Sequence, residues 1–296
     1  MLHKTIIALL AALPASVALA PTAFAQSAAL PSAIYTDPPA DAAHPARMEV
    51  LHIPSGGVAI NGVAYLASGA GRHPTVVICH GLPGNEKNLD LAQAVRRAGW
   101  NAITFNYRGS WGSPGAYRFA QNPADAQAVL AFLRDPQQAA RYGIDTSRIA
   151  IIGHSMGGWV AAMVGGQDNA LLGVGLISAA NMGREGASGR ADAIALMRDN
   201  MEALAGVTPE TMADEAIANH DTFDFLHQAN GLAAKPVLIL SSDDGLAPQT
   251  DELAAAIRSA GGARLQTRHV ATDHSWSDRR IALQASVIDW LQSLLK

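Results

Sequence analysis

Two hydrophobic periods alternate along most of this chain. Short apolar runs occur at residues 75–79, 102–106, 148–152, 172–177 and 235–240, and residues 264–270 form a more polar strand segment after them. Segments with helical spacing fall between and after them, at 89–98, 123–134, 158–164, 251–260 and 280–295. Runs that short and that apolar belong to strands buried on both faces. Their alternation with helices predicts βαβ units and a mostly parallel sheet with helices on both faces. Ahead of them, residues 48–53 and 58–67 are separated by Pro54-Ser55-Gly56-Gly57, which predicts an antiparallel meander. Residues 181–232 break the alternation. They are polar and helix-prone with no strand pattern, which predicts an insertion of two or three short helices. Such an insertion is either a cap over a site or a peripheral excursion.

The run at 148–152 leads into Gly153-His154-Ser155-Met156-Gly157 and then an Ala- and Val-rich helix pattern. A strand, a G-x-S-x-G turn and a helix together place a serine hydroxyl clear of the backbone, at a helix N-terminus. Free N–H groups and the positive end of the helix dipole favour an anion there. A hydroxyl is a weak nucleophile near neutral pH, so a catalytic Ser155 requires a histidine base and an acid elsewhere. Without those partners the pentapeptide is simply a turn.

Ten histidines compete for the role of base. His3, His44, His52 and His73 lie in the N-terminal segments and a turn. His154 adjoins the serine but should point away from it. His220 and His227 lie in the insertion, and His269 lies within a strand. His80 and His274 remain, each in a loop that follows a strand, at the sheet edge where open α/β sheets bind ligands. His80, before Gly81 and Leu82, suits bracing a turn that offers a backbone N–H. His274 lies between the last strand and the last helix and is the expected base. The acid comes from Ser241-Ser242-Asp243-Asp244, after the run at 235–240. Asp244 is the expected partner, Asp243 the alternative, and one of the two is expected to cap the helix that starts near Pro248. Asp273 is read as a loop residue.

The order Ser155, Asp244, His274 resembles that of the α/β-hydrolase superfamily, in particular its dienelactone-hydrolase-like and prolyl-oligopeptidase-like branches. His80-Gly81-Leu82-Pro83-Gly84, Asn106-Tyr107-Arg108-Gly109, the serine pentapeptide, Asp244 with Pro248, and Asp273-His274-Ser275 carry the resemblance. It covers residues 48–296. The family often places glycine three residues before the acid, where this chain has Ser241. The resemblance implies an α/β-hydrolase fold, and a backbone oxyanion hole from Leu82 and Met156. It further implies a serine hydrolase that cleaves carboxylic esters through an acyl-enzyme, with no cofactor. A peptidase, an acyltransferase to an alcohol, or an inactive binding module on the same fold are the alternatives. Trp111, in the glycine-rich loop 109–115, and Trp276 either line the substrate pocket or pack loops.

Composition narrows the setting. A chain of 296 residues, 49% hydrophobic, suffices for one large domain. A net charge of −4 without a basic run argues against nucleic acid as a partner. No histidine or cysteine pair has metal-ligand spacing, so no metal is expected. Cys79 is the single cysteine, so an intrachain disulfide is impossible, and its apolar run marks a buried residue. Lys4, the apolar stretch 5–20 and Ala23-Phe24-Ala25 together read as a signal peptide cut after Ala25. The reading is of a secreted or periplasmic protein with no membrane span after cleavage and an Ala- and Pro-rich leader over 26–47. Its expected partner is a small ester or short peptide substrate, and its oligomeric state is open.

Overall fold

The computed structural model describes residues 29–296, so the signal-peptide segment and the start of the leader lie outside the described residues. Eight strands form one sheet in the order β1-β2-β4-β3-β5-β6-β7-β8. β1 (Arg47–Ser55) and β2 (Val58–Leu66) make an antiparallel hairpin, and β2 pairs antiparallel with β4 (Asn101–Phe105). All remaining neighbours are parallel: β3 (His73–Cys79), β5 (Ile144–His154), β6 (Gly173–Ile177), β7 (Val237–Ser242) and β8 (Leu265–Val270). β4 and β6 are buried at every position, as expected of strands covered on both sides. β8 lies at one edge and is largely exposed, with Gln266, Thr267, Arg268 and His269 among its residues.

The helices divide between the two faces. α1 (Leu89–Arg97) and α10 (Arg280–Ser293) share a core with Val76, Ile78, Ile152 and Trp290. α2 (Asn122–Arg134), α4 (Met156–Gly165) and α9 (Ala247–Ser259) share the other, larger core with Val77, Ile103 and Ile151. α3 (Pro136–Tyr142) is an addition to the expected elements. Pro136 reads as a stop for α2, yet it opens the next helix: Asp135 caps it by accepting the N–H groups of Gln137 and Gln138. The leader also has structure. A 3-10 turn, Ser32–Ile34, is held where Arg97 donates to the carbonyls of Ala33 and Ile34.

Between β6 and β7 stand α5 (Met182–Ala187), α6 (Arg190–Arg198), α7 (Pro209–Ala218) and α8 (Ala229–Ala233). That is more helix than the two or three short pieces expected, and α7 carries its own capping box between Thr208 and Thr211. The insertion is stitched to the loop after β4. Ser110 pairs with Leu204 in an isolated bridge, and Ala205 N–H donates to the Gly109 carbonyl at 2.7 Å.

Candidate active site

β3 and β5 are neighbours in the sheet, β7 and β8 lie two and three strands beyond β5, and the candidate side chains stand in the loops that leave these four strands. Ser155 joins β5 to α4 with φ 59° and ψ −126°, a left-handed backbone at a non-glycine residue. Such a conformation costs roughly 1–3 kcal/mol and persists only when neighbours hold it. Here the Ser155 N–H donates to the Ile177 carbonyl at 2.9 Å, and the Ser155 carbonyl accepts from Ala180 and Gly158. The flanking glycines are steric requirements. A Cβ at Gly153 would overlap the Gly157 carbonyl, and one at Gly157 would overlap the Cys79 carbonyl.

Gly81, after β3, is packed against the serine: a Cβ there would lie 3.3 Å from Ser155 Oγ. The next residue is Leu82. Neither the Leu82 N–H nor the Met156 N–H donates to any group among the described residues. His80 braces this loop as its position suggests, with its Nδ1–H on the Gly81 carbonyl at 2.7 Å.

His274 lies in the loop after β8, and its Nδ1–H donates to Asp244 Oδ2 at 2.7 Å. The other Asp244 oxygen accepts the Leu246 N–H at 2.9 Å. Asp244 is 3% exposed and Asp243 is 61% exposed. Burial alone would raise the Asp244 carboxyl, but the bonds from His274, Leu246 and Ser242 outweigh it and hold the group at about 2. Asp243 has a histidine of its own. Its Oδ1 accepts from His269 Nε2 at 2.8 Å, and Ser241 Oγ lies 3.0 Å from the other ring nitrogen. Two adjacent carboxylates are thus divided between two histidines. Neither caps α9, whose N-cap is Leu246 with no side-chain bond. His274 Nε2 and Ser155 Oγ make no hydrogen bond, to each other or elsewhere, among the described residues. A catalytic contact of that kind often tightens only when substrate is bound.

His154 does more than point away from the serine. Its Nε2–H donates to the His274 carbonyl at 2.8 Å, and the two rings lie 4.7 Å apart. The Ser155 turn and the His274 loop are therefore tied directly. Sequence offered no signal for this bond, because its acceptor is a backbone atom far along the chain.

Both tryptophans bind the loops around them, Trp276 fully buried and Trp111 partly exposed. The Trp276 indole N–H donates to Ser178 Oγ at 3.0 Å, so it anchors the loop that carries His274 to the core. The Trp111 indole N–H is engaged by the Pro83 carbonyl at 2.7 Å. Among the described residues no cluster of three or more His, Cys, Asp or Glu side chains is placed to hold a metal ion.

A family model described as BD-FAE matches residues 64–182. EstE1, a thermostable carboxylesterase cloned from a metagenomic library, superimposes with a TM-score of 0.66 at 22% identity, over 86% of this chain and 91% of its own. An esterase of Pyrobaculum calidifontis gives 0.66 at 19% identity, over 86% and 88%. The chain is an α/β-hydrolase by fold. An acylaminoacyl peptidase of Pyrococcus horikoshii shares this fold too, with a TM-score of 0.64 at 15% identity, over 85% of this chain and 44% of its own. An uncharacterized protein of Mycobacterium tuberculosis is 30% identical over 125 residues, which span 42% of this α/β-hydrolase-fold chain and less than half, 43%, of the relative.

Two buried histidines give the fold a pH signature. Burial disfavours the charged ring and pushes both His80 and His154 down to about 4. In the unfolded chain they return to the ordinary value of 6.5. As pH falls from 6.5 towards 4, the unfolded state takes up protons that the folded state refuses. Their contribution is therefore complete above 6.5 and lost on acidification. Denaturant unfolding at pH 7 and pH 5 should show a loss on the order of 2 kcal/mol per histidine. His154→Gln should remove about half of that slope, and an unchanged slope in this variant would refute the assignment.

Proposed function

We propose that this protein hydrolyses carboxylic esters through an acyl-enzyme on Ser155. The observation that carries the reading is the pair of unengaged backbone donors, Leu82 N–H and Met156 N–H, next to a strained serine, with a carboxylate-bound imidazole in the loop tied to it. Ser155 Oγ attacks the ester carbonyl carbon and its proton passes to His274 Nε2. The carbonyl oxygen becomes an oxyanion that accepts from Leu82 and Met156. Preorganised donors of this kind are each worth about 3–4 kcal/mol in rate. As the oxyanion collapses, the bond to the alcohol oxygen breaks, and His274 returns the proton to the departing alcohol. Water then attacks the acyl-enzyme, His274 takes its proton, and the acid leaves as Ser155 is restored. Asp244 holds the ring with its proton on Nδ1 and balances the charge that forms on it.

The test is a panel of p-nitrophenyl esters of increasing chain length beside a panel of aminoacyl p-nitroanilides, with Ser155→Ala as control. Ester cleavage that depends on Ser155 is the expected result. Cleavage of the anilides in preference to the esters would shift the reading to a peptidase. The N-terminal pattern supports export to the periplasm or beyond, so the ester would be met outside the cytoplasm.

A further inference from the structure

Trp111 stands where three parts of the molecule meet. Its backbone is left-handed, with φ 47°, a conformation that a bulky residue keeps only when its surroundings impose it. Three hydrogen bonds do so. Its backbone N–H donates to the Ala203 carbonyl in the insertion at 3.0 Å. Its carbonyl accepts from Asn106 Nδ2 at 3.2 Å, at the end of β4. Its indole N–H donates to the Pro83 carbonyl at 2.7 Å. Lys87 Nζ covers the ring 4.1 Å from its centroid and donates in turn to Asn106 Oδ1.

The Pro83 carbonyl lies one residue past the proposed oxyanion donor, and the Gly81 carbonyl lies one residue before it. His80 holds the Gly81 carbonyl and Trp111 holds the Pro83 carbonyl, so the loop is pinned on both sides of Leu82. Gly84 completes the fit: a Cβ there would meet the His80 ring and come within 2.9 Å of the Trp111 indole nitrogen. The Leu82 N–H shares a rigid peptide plane with the Gly81 carbonyl that His80 holds, and the Trp111 bond to the Pro83 carbonyl restrains the rotations at Leu82 and Pro83 that would let that plane tilt.

We propose that Trp111 is a positioning residue, whose indole N–H aims the Leu82 N–H at the Ser155 oxyanion and whose backbone couples that donor to the helical insertion. The proposal rests on the Ser155 reading. Its physical content is that losing one hydrogen bond to Pro83 misdirects a donor that matters in the transition state and hardly at all in the substrate complex. Removal of a whole oxyanion donor commonly costs 10²–10³ in kcat, and a misaimed one a part of that.

The test compares wild type, Trp111→Phe, and a protein with 3-benzothienyl-alanine at position 111 alone, which keeps the bicyclic shape and replaces the N–H with sulfur. Ser155→Ala is run alongside, and the number of competent serines is fixed by fluorophosphonate titration. The expected result is a fall in kcat per titrated serine of about 10-fold or more in both position-111 proteins, with KM within about twofold. A benzothienyl protein with wild-type kcat overturns the proposal even where the Phe variant is slow or unfolded, because ring volume would then be the requirement. Wild-type kcat in both also overturns it, as does a loss confined to KM. Ester hydrolysis that survives in Ser155→Ala is a different failure, that of the proposed function itself.

Discussion

Ser155→Ala is expected to lower kcat for ester hydrolysis by about 10⁴-fold or more, with the fold intact. The size follows from what is removed: the atom proposed to form the acyl-enzyme, which no neighbour can replace. His80 and His154 are buried and neutral, and Cys79 is buried in β3 with its thiol pushed up to about 12. Alanine fits the site, since Ser155 Oγ makes no hydrogen bond among the described residues that the fold would lose. The left-handed backbone at 155 is no easier for alanine than for serine, so stability should change little. Steady-state rates, with circular dichroism to confirm the fold, check this result. A variant that keeps even a tenth of the wild-type kcat would show that the nucleophile is elsewhere.

The second large effect separates two neighbouring carboxylates. Asp244→Asn is expected to reduce kcat by roughly 10⁴-fold, and Asp243→Asn by no more than about threefold. In the first variant the Leu246 N–H still demands an oxygen at the Oδ1 position, so the new amide nitrogen takes the place of Oδ2. An N–H then faces His274 Nδ1, which must become an acceptor. The ring proton moves to Nε2, the atom that receives the serine proton in the proposed mechanism. In the second variant the substitution alters a half-exposed pair with His269 and leaves the His274 bond untouched. Equal losses in the two variants would refute the division of roles.

The order of strands and helices was legible because strands buried on both faces are written as unbroken apolar runs. The serine turn was legible because steric contact with Cys79 and Gly157 admits only glycine at its flanks. Other features depend on contacts across the sheet. Asp243 is drawn aside by His269, and the two meet because Ser241 pairs with His269 between β7 and β8, a register that no local pattern encodes. Trp276 sits between two serines, a context that does not decide between lining a pocket and packing a loop. Its indole is buried, and its N–H reaches Ser178, just past β6, whose hydroxyl lies 2.7 Å from that of Ser242 at the end of β7. Pro136 has the same residue type whether it ends one helix or begins the next, and the Asp135 cap decides in favour of the second role.

The three silenced groups around the serine have a consequence for proton traffic. His80 and His154 are denied their cations by burial, and Cys79 is denied its anion. Beside them the His274 side chain, 40% exposed, stays in touch with solvent. A site with several active imidazoles would shuffle protons among them and strand some in unproductive arrangements. In the proposed mechanism a single carrier serves both halves of the turnover, and every proton that leaves Ser155 has one place to go and one way back.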